Sequence, residues 1–276
     1  MGNQKFTLTK EEDEAVRFYM GDPEIVKGGC YRGGPEAYNT INALLHPGCG
    51  NEMDKAAEGR TIELFDAEHL KSYLRLIRLI TGAMARYRDA CISDPDHLHP
   101  AFRIDRASSL ERYMENGVIY GFFSACREGF LSRYARKKEQ IVMLQVERED
   151  DLPYLDFAKL FGDLYAKPEE AEILMPYGAR IARLEPLPLS EDDRLIYADR
   201  SGNPPCGKYR MLLAKAPARG TDPAALKALE AAATDDETVA RMALVMQKLS
   251  RRQPLTEAET EDYSKWKCQV MKIVGC

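Results

Sequence analysis

Paired thiols and clustered imidazoles are what this chain lacks most visibly. Its seven cysteines (30, 49, 91, 126, 206, 268 and 276) form no CxxC pair, and only four histidines accompany them. A structural zinc site, or any other metal site, is therefore not expected. No apolar run approaches the roughly 18 residues that span a bilayer. The amino-terminal MGNQKFTLTKEEDE has no basic stretch followed by an apolar one, so it does not read as a secretory signal. Phe6 stands where a myristoylation start needs serine or threonine. The expectation is a soluble chain with no membrane partner, cytoplasmic in the producing cell, whose delivery into another cell would need a route without a signal peptide. A charge excess is missing too. The formal net charge is −5, with both signs interspersed, which gives no long-range field to hold nucleic acid. The short basic cluster of Arg133, Arg136, Lys137 and Lys138 reads as a solvated face.

What is present is an ordinary folded composition, 45% hydrophobic and 30% charged over 276 residues. That length suits one large domain, or one of about 200 residues with a helical appendix. Thr9 opens a capped helix that Gly21-Asp22-Pro23 stops. A glycine-rich loop, 28–34, leads to a second helix over 35–45. The longest helical pattern, 66–90, repeats Leu70, Tyr73, Leu74, Ile77, Ile80, Met84 and Tyr87 at three- and four-residue spacing. Strands are predicted at 101–104, across 117–126, at 140–146 and at 209–214, with a helix at 107–116 and a short helix or turn over 154–161. The stretches 173–176 and 179–184, separated by Tyr177-Gly178, read as two strands around a tight turn. Strands gather in the second half after helices in the first, which predicts an α+β fold rather than alternating α/β. Composition changes near 219, where a Pro, Gly and Arg linker precedes an Ala, Leu, Glu and Lys-rich helical segment. The organisation expected is a domain over 1–218 and a helical extension over 219–276.

One segment places acid beside an apolar strand: Pro168-Glu169-Glu170-Ala171-Glu172-Ile173-Leu174-Met175-Pro176. On an extended strand, residues two apart face the same side, so Glu170 and Glu172 would project together, about 7 Å apart at their Cα atoms. Paired carboxylates can divide labour, one stabilising a cation while the other takes a proton. Alone, the segment reads more readily as an acidic loop before a strand.

It is not alone. EAEILMPYG resembles the E-x-E motif of arginine-modifying mono-ADP-ribosyltransferases, whose second glutamate precedes a strand of the form ILLP-x-G. GVIYGFFSAC resembles the family's strand ending in S-T-S, with Ser124 as first serine; Ala125 and Cys126 depart from the other two. Ala101-Phe102-Arg103 resembles the family's aromatic-Arg strand. Tyr19-Met20-Gly21 and Tyr38-Asn39-Thr40-Ile41-Asn42-Ala43-Leu44 are similar to its amino-terminal helices. These patches, in the right order, cover roughly residues 9–188 and leave 220–276 unaddressed.

The resemblance implies a fold of two packed, antiparallel-rich β-sheets forming an NAD cleft, flanked by amino-terminal helices. It implies NAD as substrate and an acceptor protein modified on arginine. Glu172 and Glu170 would be catalytic, Glu172 holding a ribose hydroxyl and Glu170 assisting the acceptor guanidinium. Arg103, Ser124, Phe123 and Tyr38 would bind the dinucleotide, and Tyr165 the acceptor. Arg103 would offer NAD phosphates a planar fork that lysine lacks; its plainer reading is an ion pair with Asp105. Arg32, in CYRGG, is a rival that lies before the Tyr38 helix rather than after it. Three activities stay open: arginine transfer, NAD glycohydrolysis, and binding of nucleotide or protein by a degenerate module without chemistry.

Overall fold

The computed structural model describes residues 6–45, 67–92, 98–126, 131–162, 171–215 and 253–274, with isolated positions between 237 and 248. The chain divides into two compact units, one of Met1–Thr7 and Met84–Ala216, the other of Leu8–Ala83 and Pro217–Cys276. The chain passes from one unit to the other between Ala216 and Pro217. The carboxy-terminal residues, however, group with Leu8–Ala83 instead of standing as an extension by themselves.

The helical unit starts with α1 (Lys10–Tyr19), which has a reciprocal cap. Thr9 Oγ1 accepts from the Glu12 amide at 3.3 Å, and the Thr9 amide donates to Glu12 Oε2 at 2.8 Å. Asp22 caps α2 (Pro23–Gly28), with proline at the first turn, where its missing N–H costs nothing. α3 (Ala37–Leu44) and most of α4 (Ala67–Cys91) follow. On α4, Tyr73, Leu74, Ile77 and Ile80 are buried, the three- and four-residue spacing its sequence predicts, and Leu76 is buried beside them. α9 (Glu257–Val274), numbered after the intervening helices given below, contacts α3 and buries Tyr263, whose ring stacks on Trp266 at 5.7 Å.

The other unit holds a mixed sheet. Its elements are β1 (Ala101–Arg106), α5 (Ala107–Asn116), β2 (Val118–Ile119), β3 (Phe123–Cys126), α6 (Leu131–Ala135), β4 (Ile141–Arg148), β5 (Leu155–Asp156), α7 (Phe157–Phe161), β6 (Glu172–Met175), β7 (Ala179–Leu187), α8 (Glu191–Ile196) and β8 (Gly207–Ala214). The fold is α+β. Eight strands bond in the order β2-β7-β8-β4-β1-β3-β6-β5, all pairs antiparallel except β4 with β8. The two packed sheets expected are therefore one hydrogen-bonded sheet. The reason is local: β1 joins β3 through the single pair Phe102↔Cys126. That narrow seam links a five-stranded part to a three-stranded one.

Two further departures share a cause. The stretch 117–126 is not one strand but β2 and β3, interrupted at Gly121, whose φ of +126° an L-residue rarely adopts. Nor do β6 and β7 form a hairpin across Tyr177-Gly178. β6 pairs with β3 and β5, whereas β7 pairs with β2 and β8. Gly178, at φ +74°, is a bend between strands that leave in different directions. Its amide donates to the Ile119 carbonyl at 2.7 Å, which keeps the two bent chains side by side through the break. Hence β2/β3 and β6/β7 run antiparallel to each other on both sides of their bends.

Candidate active site around the β1–β3 seam

Strand alternation fixes the faces here. Across β3 and β6, Cys126 lies opposite Glu172 and Ser124 opposite Leu174. Ser124 and Glu172 thus share one face of neighbouring strands, as diagonal neighbours about 7–8 Å apart. Phe102, opposite Cys126, belongs to that face, so Arg103 emerges on the other. Its guanidinium accordingly lies over the Phe123 ring, 4.6 Å from the centroid. It reaches Ser124 through the main chain, Nη1 donating to the Ser124 carbonyl at 2.7 Å. Arg103, Phe123 and Ser124 are brought into contact; Glu172, half-buried as the first residue of β6, stands on the adjoining strand.

The charge of Arg103 is not solitary. Its Nε donates to Asp105 Oδ2 at 2.6 Å, two residues along β1 on the same face. The Tyr113 hydroxyl, from α5, donates to that same oxygen at 2.8 Å. Lys138 Nζ donates to Asp105 Oδ1 at 3.0 Å and to the Ile104 carbonyl at 2.6 Å. The ion pair with Asp105 that Arg103 suggested by proximity is present, but in a buried setting: the Asp105 side chain is 7% exposed, against 27% for Arg103.

Burial disfavours the Asp105 carboxylate, yet the two cations and their hydrogen bonds outweigh it and hold its pKa far below the usual range. Burial likewise works against the Arg103 charge and is outweighed by Asp105, so its pKa is raised. Burial, with the Asp105 charge added, pushes the Tyr113 phenol above its usual range, leaving it a neutral donor.

In the sequence Asp105 shows only as a rival partner for Arg103, and Tyr113 not at all. By sequence, its basic neighbours put Lys138 on a solvated face. That placement is corrected: its side chain is 21% exposed and bonded into the site, while Arg136 and Lys137 are exposed. The legible signal was the Arg-x-Asp spacing, which on a strand puts both groups on one face. Nothing local marked Tyr113, whose hydroxyl reaches back eight residues from the following helix.

Of the carboxylate pair, Glu170 lies outside the described residues, as does Tyr165. β6 begins at Glu172, and Ala171 before it has φ +40°, so the extended strand does not run back through 171. Ala125 and Cys126, in place of the second and third hydroxyl residues, are buried. Tyr38 belongs to the helical unit, where its ring meets Tyr19 edge-on at 6.4 Å. Arg32 is exposed, its amide donating to Ser72 Oγ at 3.1 Å.

Among the described residues no helix is long and apolar enough to cross a membrane, and no three His, Cys, Asp or Glu side chains gather as a metal ion would need. No family model and no curated protein matches the chain. Among solved structures it is similar to the catalytic domain of VahC from Aeromonas hydrophila, at 14% identity and a TM-score of 0.35. The match covers 75% of this chain and 98% of that one. At that level the likeness carries no argument about fold or chemistry.

Proposed function

We propose that the chain is an NAD-dependent mono-ADP-ribosyltransferase acting on protein arginine, with NAD glycohydrolysis when water replaces the acceptor. The observation that carries this reading is the adjacency of three residues at the β1–β3–β6 seam, with Arg103 leaving the sheet on the face opposite Ser124 and Glu172. Arg103 is bonded to the main chain of Ser124, while Ser124 and Glu172 share a face on adjacent strands. These are the residues on which the resemblance to arginine-modifying transferases rests, and each comes from a different strand.

The donor set suits a dinucleotide diphosphate. Arg103 spends Nε on Asp105 and one Nη1 hydrogen on Ser124, so Nη2 has no hydrogen-bond partner among the described residues. A planar guanidinium held in this way presents two parallel N–H bonds to phosphate oxygens. Glu172 would accept a hydroxyl of the nicotinamide-side ribose. Its negative charge would then stabilise the positive character that develops as the bond to nicotinamide breaks, an effect that costs no reorganisation if the group is already placed. Glu170 would orient the acceptor guanidinium and receive a proton from it, which a group of such high pKa needs before it can attack.

A second reading has its own observations. Ala125 and Cys126 remove two hydroxyls, and Asp105 already neutralises part of the Arg103 charge. Both favour a degenerate module that binds nucleotide or protein without chemistry. Incubating the wild-type chain and Glu172→Gln with labelled NAD, with and without an arginine-rich acceptor, decides among the activities. Nicotinamide release by wild type alone supports the site, and label on protein separates transfer from hydrolysis. A folded wild type that never consumes NAD leaves the binding module.

A further inference from the structure

A carboxylate beside an arginine normally forks across Nε and Nη2, two parallel bonds that occupy one whole edge of the guanidinium. Asp105 does not do so. Only Oδ2 meets Arg103, at Nε, and that oxygen is shared with the Tyr113 hydroxyl. Oδ1 is taken by Lys138, itself anchored on the Ile104 carbonyl. Two cations therefore compete for one buried carboxylate, and two neutral groups fix the outcome. Tyr113 holds Oδ2 on the Arg103 side, and the Ile104 carbonyl holds the ammonium where it claims Oδ1. The Tyr113 ring is also located, edge-on to Phe123 at 6.0 Å and 82°, so its hydroxyl cannot drift from Asp105 without disturbing the ring beneath Arg103.

We propose that Tyr113 and Lys138 are positioning residues that keep Asp105 bound to Arg103 through one oxygen only, leaving the Nη2 edge of the guanidinium for an anionic ligand. The proposal rests on the reading of Arg103 as the phosphate-binding arginine. It assigns opposite faults to the two variants. Tyr113→Phe keeps the ring but releases Oδ2, so the carboxylate swings toward Lys138 and the Arg103 Nε proton is freed. Lys138→Met keeps the aliphatic stem but releases Oδ1, so Asp105 closes onto Nη2 and sequesters it. The second variant removes no contact of Arg103, yet it blocks the ligand's edge.

Guanidinium proton exchange, followed by NMR on the ligand-free full chain at mildly acid pH, reads both faults directly. In wild type the Arg103 Nε proton is protected and the Nη2 protons are not. In Tyr113→Phe the Nε proton exchanges about tenfold faster or more, the size of a lost hydrogen bond to a charged group. In Lys138→Met the Nη2 protons become protected, and Lys138→Arg restores the wild-type pattern. The same exchange pattern in all these proteins overturns the proposal, whatever the ligand does.

ADP-ribose, which carries both phosphates but no bond to cleave, supplies the second measurement. Each variant weakens its binding about tenfold in the wild-type background and not at all in Arg103→Met, because the effect passes through Arg103. An equal loss in both backgrounds marks a merely structural role and also overturns the proposal. If wild type shows the expected exchange pattern yet binds neither ADP-ribose nor NAD, the proposed function falls and the positioning array stands.

Discussion

Asp105 answers two positive charges with one negative one, so its removal should be felt well beyond one hydrogen bond. Asp105→Asn leaves Arg103 and Lys138 desolvated without a counter-charge, the situation in which breaking a buried pair costs about 3–5 kcal/mol. The sign with pH follows from the depressed folded-state pKa of Asp105. Its stabilisation is complete above the unfolded carboxyl value of about 4 and is lost only as pH falls toward the much lower folded one. Urea titrations of wild type and Asp105→Asn should therefore differ by a constant amount at neutral and weakly acid pH and converge in stronger acid. A difference that grew on acidification would contradict the charge assignment.

Ala171 makes a separate prediction at the same scale. Its φ of +40° carries the strain of a left-handed alanine next to Glu172, roughly 1 kcal/mol. Ala171→Gly relieves it, against a loss of similar kind in the unfolded chain. Melting should show equal or higher stability, whereas an extended backbone at 171 predicts a clear loss.

The strands depend on where the chain bends. Gly121 separates β2 from β3 at φ +126°, and a side chain there would force the bend back toward ordinary strand geometry. Gly121→Ala is expected to cost about 1–3 kcal/mol, seen as a lower denaturant midpoint with an unchanged slope. An alanine variant as stable as wild type would mean that the bend is not set by that glycine. The same two bends explain what the sequence could and could not show. β1, α5, β4 and β8 lie close to where residue type and helical periodicity put them, because each is one uninterrupted element. β2/β3 and β6/β7 differ from the expected strand and hairpin because a glycine inside an apolar run is compatible with a strand, a hairpin or a bend. Pairing partners far along the chain decide which. The seam pair Phe102↔Cys126 that merges the sheets has no local signature either. Of the candidate site, Arg103 and Ser124 are legible by motif, and Arg103 bonds the Ser124 main chain from the opposite face; the buried partners that set the orientation of Arg103 come from α5 and from the turn before β4, and only tertiary packing assembles them.

At the scale of the whole chain, the organisation is two units, each built from two separate segments. Leu8–Ala83 and Pro217–Cys276 belong together, and α9 contacts α3 within that unit. A composition change near 219 suggests an appendix, since a linker looks alike whether the following helices are independent or return to an earlier partner. The buried side chains of α9 favour a return to an earlier partner. Tyr263 is fully buried and Trp266 nearly so, and burying two aromatic rings of this size contributes several kcal/mol. Ending the chain at Ala216 removes α9 and uncovers its partner surface in the helical unit, whereas every strand of the sheet, and the Arg103 array with it, stays within Met84–Ala216. Hydrogen exchange on the truncated chain should therefore show α3 amides losing protection while the central β4 and β8 amides keep theirs, since cooperative units open separately. Loss of protection in both would make the chain a single cooperative unit. Unchanged α3 amides would mean that the amino-terminal helices hold together without α9, and that residues 217–276 are an appendix after all.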